Sequence, residues 1–94
     1  MITQMFTIYD SKAKIYNKPF FQLNIQVALR TAGDLVKDGT SEVANHPEDF
    51  TLFHIGSYDD TTGEIKKNET HMAICRFHEL DEMDSTPEFQ IAEA

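Results

Sequence analysis

HPEDFTLFHIGSYDDTTGEI, residues 46 to 65, holds a strand between two turns and decides the fold class. Pro47 keeps His46 extended or in a turn, because the proline ring disfavours helical backbone at the preceding residue. From Phe50 to Tyr58 the chain sets Phe50, Leu52 and His54 against Thr51, Phe53 and Ile55, the two-residue period of a strand. Asp59-Asp60-Thr61-Thr62-Gly63 supplies a five-residue hairpin loop into a further strand at Glu64-Ile65-Lys66. Met72, Ile74 and Phe77 suggest a fourth short strand, with one or two helical turns between His71 and Leu80 as the alternative.

Upstream, Ile2 to Tyr9 is rich in β-branched and aromatic residues and reads as a strand closed by Asp10-Ser11. Met5, Phe6, Ile8 and Tyr9 put bulk on both of its faces, as expected of a strand covered on each side or packed against a second subunit. Residues 10 to 21 form a lysine-bearing excursion, with Ile15-Tyr16 as a short strand and Asn17-Lys18-Pro19 as a turn. Between Phe21 and Lys37 the period changes. Ile25, Ala28, Leu29, Ala32, Leu35 and Val36 recur at spacings of three and four, the stripe of an amphipathic helix. Asn24 is the candidate N-cap, and Lys37-Asp38-Gly39 offers a cation in the last turn and a glycine stop. Thr40 to Asp49 reads as a polar connection.

The expected fold is α+β, a small mainly antiparallel sheet of three to four strands covered by one amphipathic helix. Residues 1–80 form a single domain in this reading, and residues 81–94 an acidic, mobile C-terminal tail in which Phe89 and Ile91 are isolated apolar points. Ninety-four residues bury a smaller fraction of their surface than a larger domain does, so a homo-oligomer is expected to add stability. A single cysteine, Cys75, excludes an intramolecular disulfide framework and fits a reducing cytoplasm. No apolar run approaches the roughly 18 residues of a membrane span, and MITQMFTIYD has no basic region followed by an apolar core, so neither membrane nor secretion is expected.

The net charge of −8 argues against phosphate binding, but its distribution weakens that objection. All eight Lys and Arg lie at or before Arg76, whereas Glu79, Asp81, Glu82, Asp84, Glu88 and Glu93 follow it. Within residues 1–30, Lys12, Lys14, Lys18 and Arg30 face Asp10 alone. The lysines interleave with Tyr16, Phe20 and Phe21, the mixture used by single-strand binders, in which cations track phosphates and ring faces stack on bases. The bland alternative is a set of core aromatics with lysines solvating an edge strand. Lys12, Lys14, Tyr16, Lys18, Phe20 and Arg30 are the candidate nucleic-acid contacts, and Phe89 and Ile91 the candidate partner contacts.

Two further groups carry potential chemistry. His71, Cys75 and His78 have zinc-ligand spacing if the segment is helical, with His46 or His54 as a fourth ligand. A strand instead sends His71 and Cys75 to one face and His78 to the other, so no metal or other cofactor is expected. His46, Glu48, Asp49, Asp59 and Asp60 offer carboxylates, but in turns, where Asp is favoured for its own backbone hydrogen bonds. No phosphate loop, nucleophile elbow, HExxH helix or zinc-deaminase signature occurs, and the chain is not expected to be an enzyme.

The blocks FTIYDSKAKIYNKPFF, residues 6 to 21, and HPEDFTLFHIGSYDDTTGEI, residues 46 to 65, resemble the small nonstructural protein of gokushovirus-type microviruses, which are tailless bacteriophages with single-stranded DNA genomes. The resemblance implies a nonstructural accessory protein made early in infection, acting in the host bacterial cytoplasm around genome replication, in the switch to single-stranded DNA synthesis and packaging. The acidic C-terminal third departs from the family pattern. Weak contact with single-stranded DNA is the leading expectation. The alternative is an acidic protein-interaction module that binds the viral replication initiator or a host replication factor without touching DNA, and an assembly or scaffolding subunit is a third possibility.

Overall fold

The computed structural model describes residues 1–83. Five strands, β1 (Ile2–Asp10), β2 (Ile15–Tyr16), β3 (Phe20–Gln22), β4 (Phe50–Asp59) and β5 (Glu64–Arg76), form one curled antiparallel sheet. Three helices, α1 (Ile25–Lys37), α2 (Glu42–Asn45) and α3 (Phe77–Met83), and a 3-10 turn at Pro47–Asp49 complete the chain. The α+β class expected from the sequence is the class found. β1 and β4 are central, β5 forms one edge, and β2 and β3 share the other side of β1.

The sheet curls because β4 and β5 do not run in simple register. Met5 pairs with Gly56 and Phe6 with His54, which leaves Ile55 as an extra residue against β1. On the other side Gly56 pairs with Lys67 and His54 with Met72, so residues 68–71 of β5 bulge outward opposite Ile55. Asn68 holds this bulge. Its Nδ2 donates to the His54 carbonyl at 3.0 Å and to His54 Nδ1 at 2.9 Å, which leaves His54 Nε2–H facing Gln4 Oε1 at 2.8 Å. The separate third and fourth strands expected from the sequence are therefore one strand with an interruption. Phe77, assigned above to a strand, opens α3, where the Arg76 N–H donates to Glu79 Oε1 in the manner of a capping box.

The helices all pack on one side. Ala28, Ala32 and Val36 of α1, Val43 of α2 and Phe77 of α3 are buried against Phe6, Ile8, Phe50 and Leu52. Ile25, Leu29 and Leu35 complete the apolar stripe as partly buried neighbours. Asn24 caps α1 as expected, its Oδ1 accepting from the Val27 N–H at 2.9 Å. The other end differs from expectation. No left-handed glycine stops α1; Asp38 is the C-cap, its N–H donating to Asp34 and Leu35 carbonyls. Its carboxylate, which accepts from Thr40 N–H and Oγ1–H, is held below its usual pKa by those bonds. Ser41 then joins two helices, donating to the Leu35 carbonyl at 2.7 Å and accepting from the Ala44 N–H at 3.0 Å.

Four consecutive β1 residues, Met5 to Ile8, are buried within this single chain. The curl accounts for Met5 and Thr7, which face away from the helices: neighbouring strands wrap them, and Thr7 Oγ1–H donates to the Asn17 carbonyl at 2.7 Å. The two-faced bulk of β1 is thus satisfied inside one chain.

Gly56 is the tightest point of the sheet. A Cβ there would overlap the Lys66 carbonyl oxygen and stand 3.0 Å from Lys67 Cα, both backbone atoms of β5. Gly56→Ala is expected to destabilise the fold by about 2–3 kcal/mol and to lower the thermal midpoint by on the order of 10 °C. Asn24→Ala, which removes only the cap, is expected to cost about 1 kcal/mol. Thermal and urea unfolding followed by circular dichroism would measure both, and a Gly56→Ala protein as stable as the wild type would refute the close approach.

Candidate functional site

Strand alternation divides the sheet into two faces. Gln4, Phe6 and Ile8 point to the helices, whereas Thr3, Met5, Thr7 and Tyr9 point away. Register carries the second set across the sheet: Tyr16 lies opposite Tyr9, Phe21 opposite Met5, Phe53 opposite Thr7, and Tyr58 opposite Thr3. On β5 the same face receives Ile65, Lys67, Ala73 and Arg76. None of the described helices packs on this face, and Tyr16, Phe21 and Ile65 are 47%, 46% and 62% exposed.

Aromatic rings concentrate on it in two groups. Tyr16 is the hub of the first, with ring centroids 4.6 Å from Tyr9, 5.3 Å from His71 and 5.9 Å from Phe53. Tyr9 and His71 also meet Phe53, at 6.4 Å and 6.2 Å. The rings are tilted or edge-on to one another, the arrangement their quadrupoles favour. Phe21 and Tyr58, 5.8 Å apart, form the second group nearer the hairpin. The paired positions on this face include Lys67 and Arg76, and Glu69 is exposed in the bulge between Lys67 and His71. The β2-bearing excursion carries exposed Lys12, Lys14 and Lys18. Asp10 shapes that excursion through its Oδ1, which accepts from the Lys12 and Ala13 N–H groups. Lys14 adopts a left-handed φ of 61°.

The six candidate contacts read from the sequence separate. Lys12, Lys14, Tyr16 and Lys18 lie together on the excursion between β1 and β3. Phe20, in contrast, is half-buried on the helix side, its ring stacked on Phe6 with centroids 5.9 Å apart. Arg30 is exposed on α1, across the sheet from Tyr16. Phe89 and Ile91 lie outside the described residues. Sequence reasoning missed Tyr9, Phe53, His71, Tyr58, Lys67 and Arg76. For Tyr9, Phe53 and Tyr58 a signal was present, since they share the odd-face parity of their strands, adjusted for the extra residue at Ile55.

His71, Cys75 and His78 do not converge. His71 joins the aromatic cluster, Cys75 pairs with Leu52 on the helix side, and His78 is in α3. The register shift between Leu52 and Phe53 separates even His71 from Cys75, which regular alternation would have kept on one face. His46, Glu48 and Asp49 do come together, with potential ligand atoms within 4.8 Å, at a depression that Lys12 also lines. Asp59 and Asp60 serve the hairpin and the amino terminus: Asp59 Oδ1 accepts from the Thr61 N–H, and Asp60 Oδ1 from the Met1 ammonium at 2.8 Å.

Burial, and secondarily the Glu79 carboxylate, push the Cys75 thiol up to about 11. Its thiolate fraction at pH 8 is then about 100-fold below that of an unshifted cysteine. Iodoacetamide is expected to label Cys75 correspondingly slowly in the folded protein and at the ordinary rate after unfolding. The neutral thiol favours the folded state fully below about pH 9, and this contribution declines as pH rises toward 11. Fast labelling at pH 8 under native conditions would contradict the burial.

No curated protein and no solved structure matches the chain. A family model described as "Phage ORF5 protein" matches residues 3–80, which include β1 from its second residue, β2 to β5, α1, α2 and the first turn of α3. With most of the chain and nearly all of its sheet inside the match, this protein belongs to the phage ORF5 protein family and is a bacteriophage protein.

Proposed function

We propose that this phage protein is a nonenzymatic accessory of single-stranded DNA phage replication or genome packaging, of the gokushovirus type that residues 6–21 and 46–65 resemble. In this reading it works in the host cytoplasm and contacts single-stranded DNA weakly through Lys12, Lys14, Tyr16 and Lys18. The observation that supports it is the Tyr16-centred ring cluster on a sheet face that no described helix covers, with Lys67 and Arg76 among its paired positions. Base stacking on such rings is worth about 1–3 kcal/mol per base, and it needs no sequence readout. Lysines of the excursion supply counterion release, so affinity falls with salt in proportion to the phosphates they neutralise, while the net charge of −8 limits it.

A second reading is favoured by the carboxylates beyond Arg76: an acidic module that binds the viral replication initiator or a host replication factor and does not touch DNA. Fluorescence anisotropy of a labelled oligothymidylate separates the two. The accessory reading expects binding at low salt, with the combined Lys12→Ala, Lys14→Ala and Lys18→Ala protein at least about tenfold weaker and its log–log salt slope shallower by about 2. Undiminished binding by this triple variant would remove the lysines from the site. Absence of binding by the wild type would leave the acidic module.

A further inference from the structure

We propose that the open face carries a second base-stacking subsite at Phe21 and Tyr58, with Lys67 as its phosphate contact, so that one DNA strand crosses the sheet from the Tyr16 cluster toward the hairpin. This inference rests on the single-strand reading above and extends it to residues outside the lysine-bearing excursion.

The row Phe21, Met5, Gly56, Lys67 crosses four neighbouring strands on this face, and Thr3, Tyr58 and Ile65 form the next row. Phe21 is 46% exposed and meets Tyr58 edge-on, so ring surface remains open to a base. Along β4 the floor between Phe53 and Tyr58 is low at Gly56, which has no side chain, and Met5, opposite Phe21 on β1, is buried beneath the second group. Backbone can thread such a trough while bases stack at either end. Tyr9 and Met5, which mark the two groups along β1, are four residues apart, or about 13 Å at a strand's rise. At about 3.4 Å per stacked nucleotide this spans about four nucleotides. A strand engaging both groups is therefore longer than one that fills the Tyr16 cluster alone.

Charge selects the occupant. Register places Lys67 and Arg76 on this face, and exposed Glu69 lies in the bulge between Lys67 and His71, so the β5 charges here are cationic on balance: a second copy docked face to face would oppose like charges, whereas a polyanion is complementary. Gly56 also explains how Lys67 comes to border the trough, because β5 approaches β4 there at backbone distance.

The test uses the full chain with labelled two-nucleotide and twelve-nucleotide thymidine oligomers at low salt, comparing wild type with Phe21→Ala, Lys67→Ala and Tyr16→Ala. Phe21→Ala is expected to weaken the longer oligomer by about 5- to 100-fold, and to change the shorter one by less than about twofold. Lys67→Ala, an exposed residue whose removal disturbs no packing, is expected to show the same length selectivity and a shallower salt slope for the longer oligomer. Tyr16→Ala is expected to weaken both lengths. If Phe21→Ala and Lys67→Ala bind the longer oligomer as wild type does while Tyr16→Ala weakens it, the second subsite is overturned and the single-strand reading stands. If wild type binds neither oligomer, both are overturned. A wild-type dimer in sedimentation that Phe21→Ala dissociates would overturn the subsite in favour of a face used between copies.

Discussion

The backbone-to-backbone approach of β5 to β4 at Gly56 is the constraint on which the rest of the molecule depends. One residue without a side chain lets the Lys66 carbonyl close over β4, and on either side of it the ladders change register. The displaced backbone groups are not left open. Asn68 takes up the His54 carbonyl, and His54 in turn reaches Gln4 across β1, so a polar relay spans three strands where the regular ladder is broken. A kink of this kind bends the sheet, and Met5 and Thr7 are buried on the face where no described helix packs.

That bend divides the work between two faces. The helix side holds the fully buried Phe6, Leu52 and Phe77, and α1 adds Ala28, Ala32 and Val36 to the same core. Hydrophobic burial there supplies the stability, so the opposite face is free to keep partly exposed rings. The distribution of charge leans the same way: most of the described carboxylates lie on the helices, the turns and the hairpin, with Glu69 of the bulge as the exception near the rings.

Much of this architecture was legible in residues alone. The three-and-four spacing from Ile25 to Val36, the Asn24 cap and the alternation from Phe50 to Tyr58 each have a single local cause, so each appears where expected. The failures share a different cause. α2 was hidden in a polar stretch because its cap, Ser41, and its one buried residue, Val43, give too short a period to notice. β5 looked like two strands because its bulge is set by partners 14 residues away, and the faces of His71 and Cys75 were misjudged for the same reason. The site suffered most from this. Lys12, Lys14, Tyr16 and Lys18 are contiguous and could be read together, but their union with Phe53 and His71 depends on strand order. Phe20 looked equivalent to Tyr16 in composition and differs only by the face its strand presents.

The outward bulge of residues 68–71 has a further consequence, for the chain's behaviour in a crowded cell. β5 is an edge strand of 13 residues, long enough to serve as a template on which another extended segment could add. Its straight run is broken midway, with Lys66 and Lys67 before the break and Glu69 within it, so an incoming strand finds no flat stretch longer than a few residues. The break thus makes the long edge a poor template for edge-to-edge pairing with another chain.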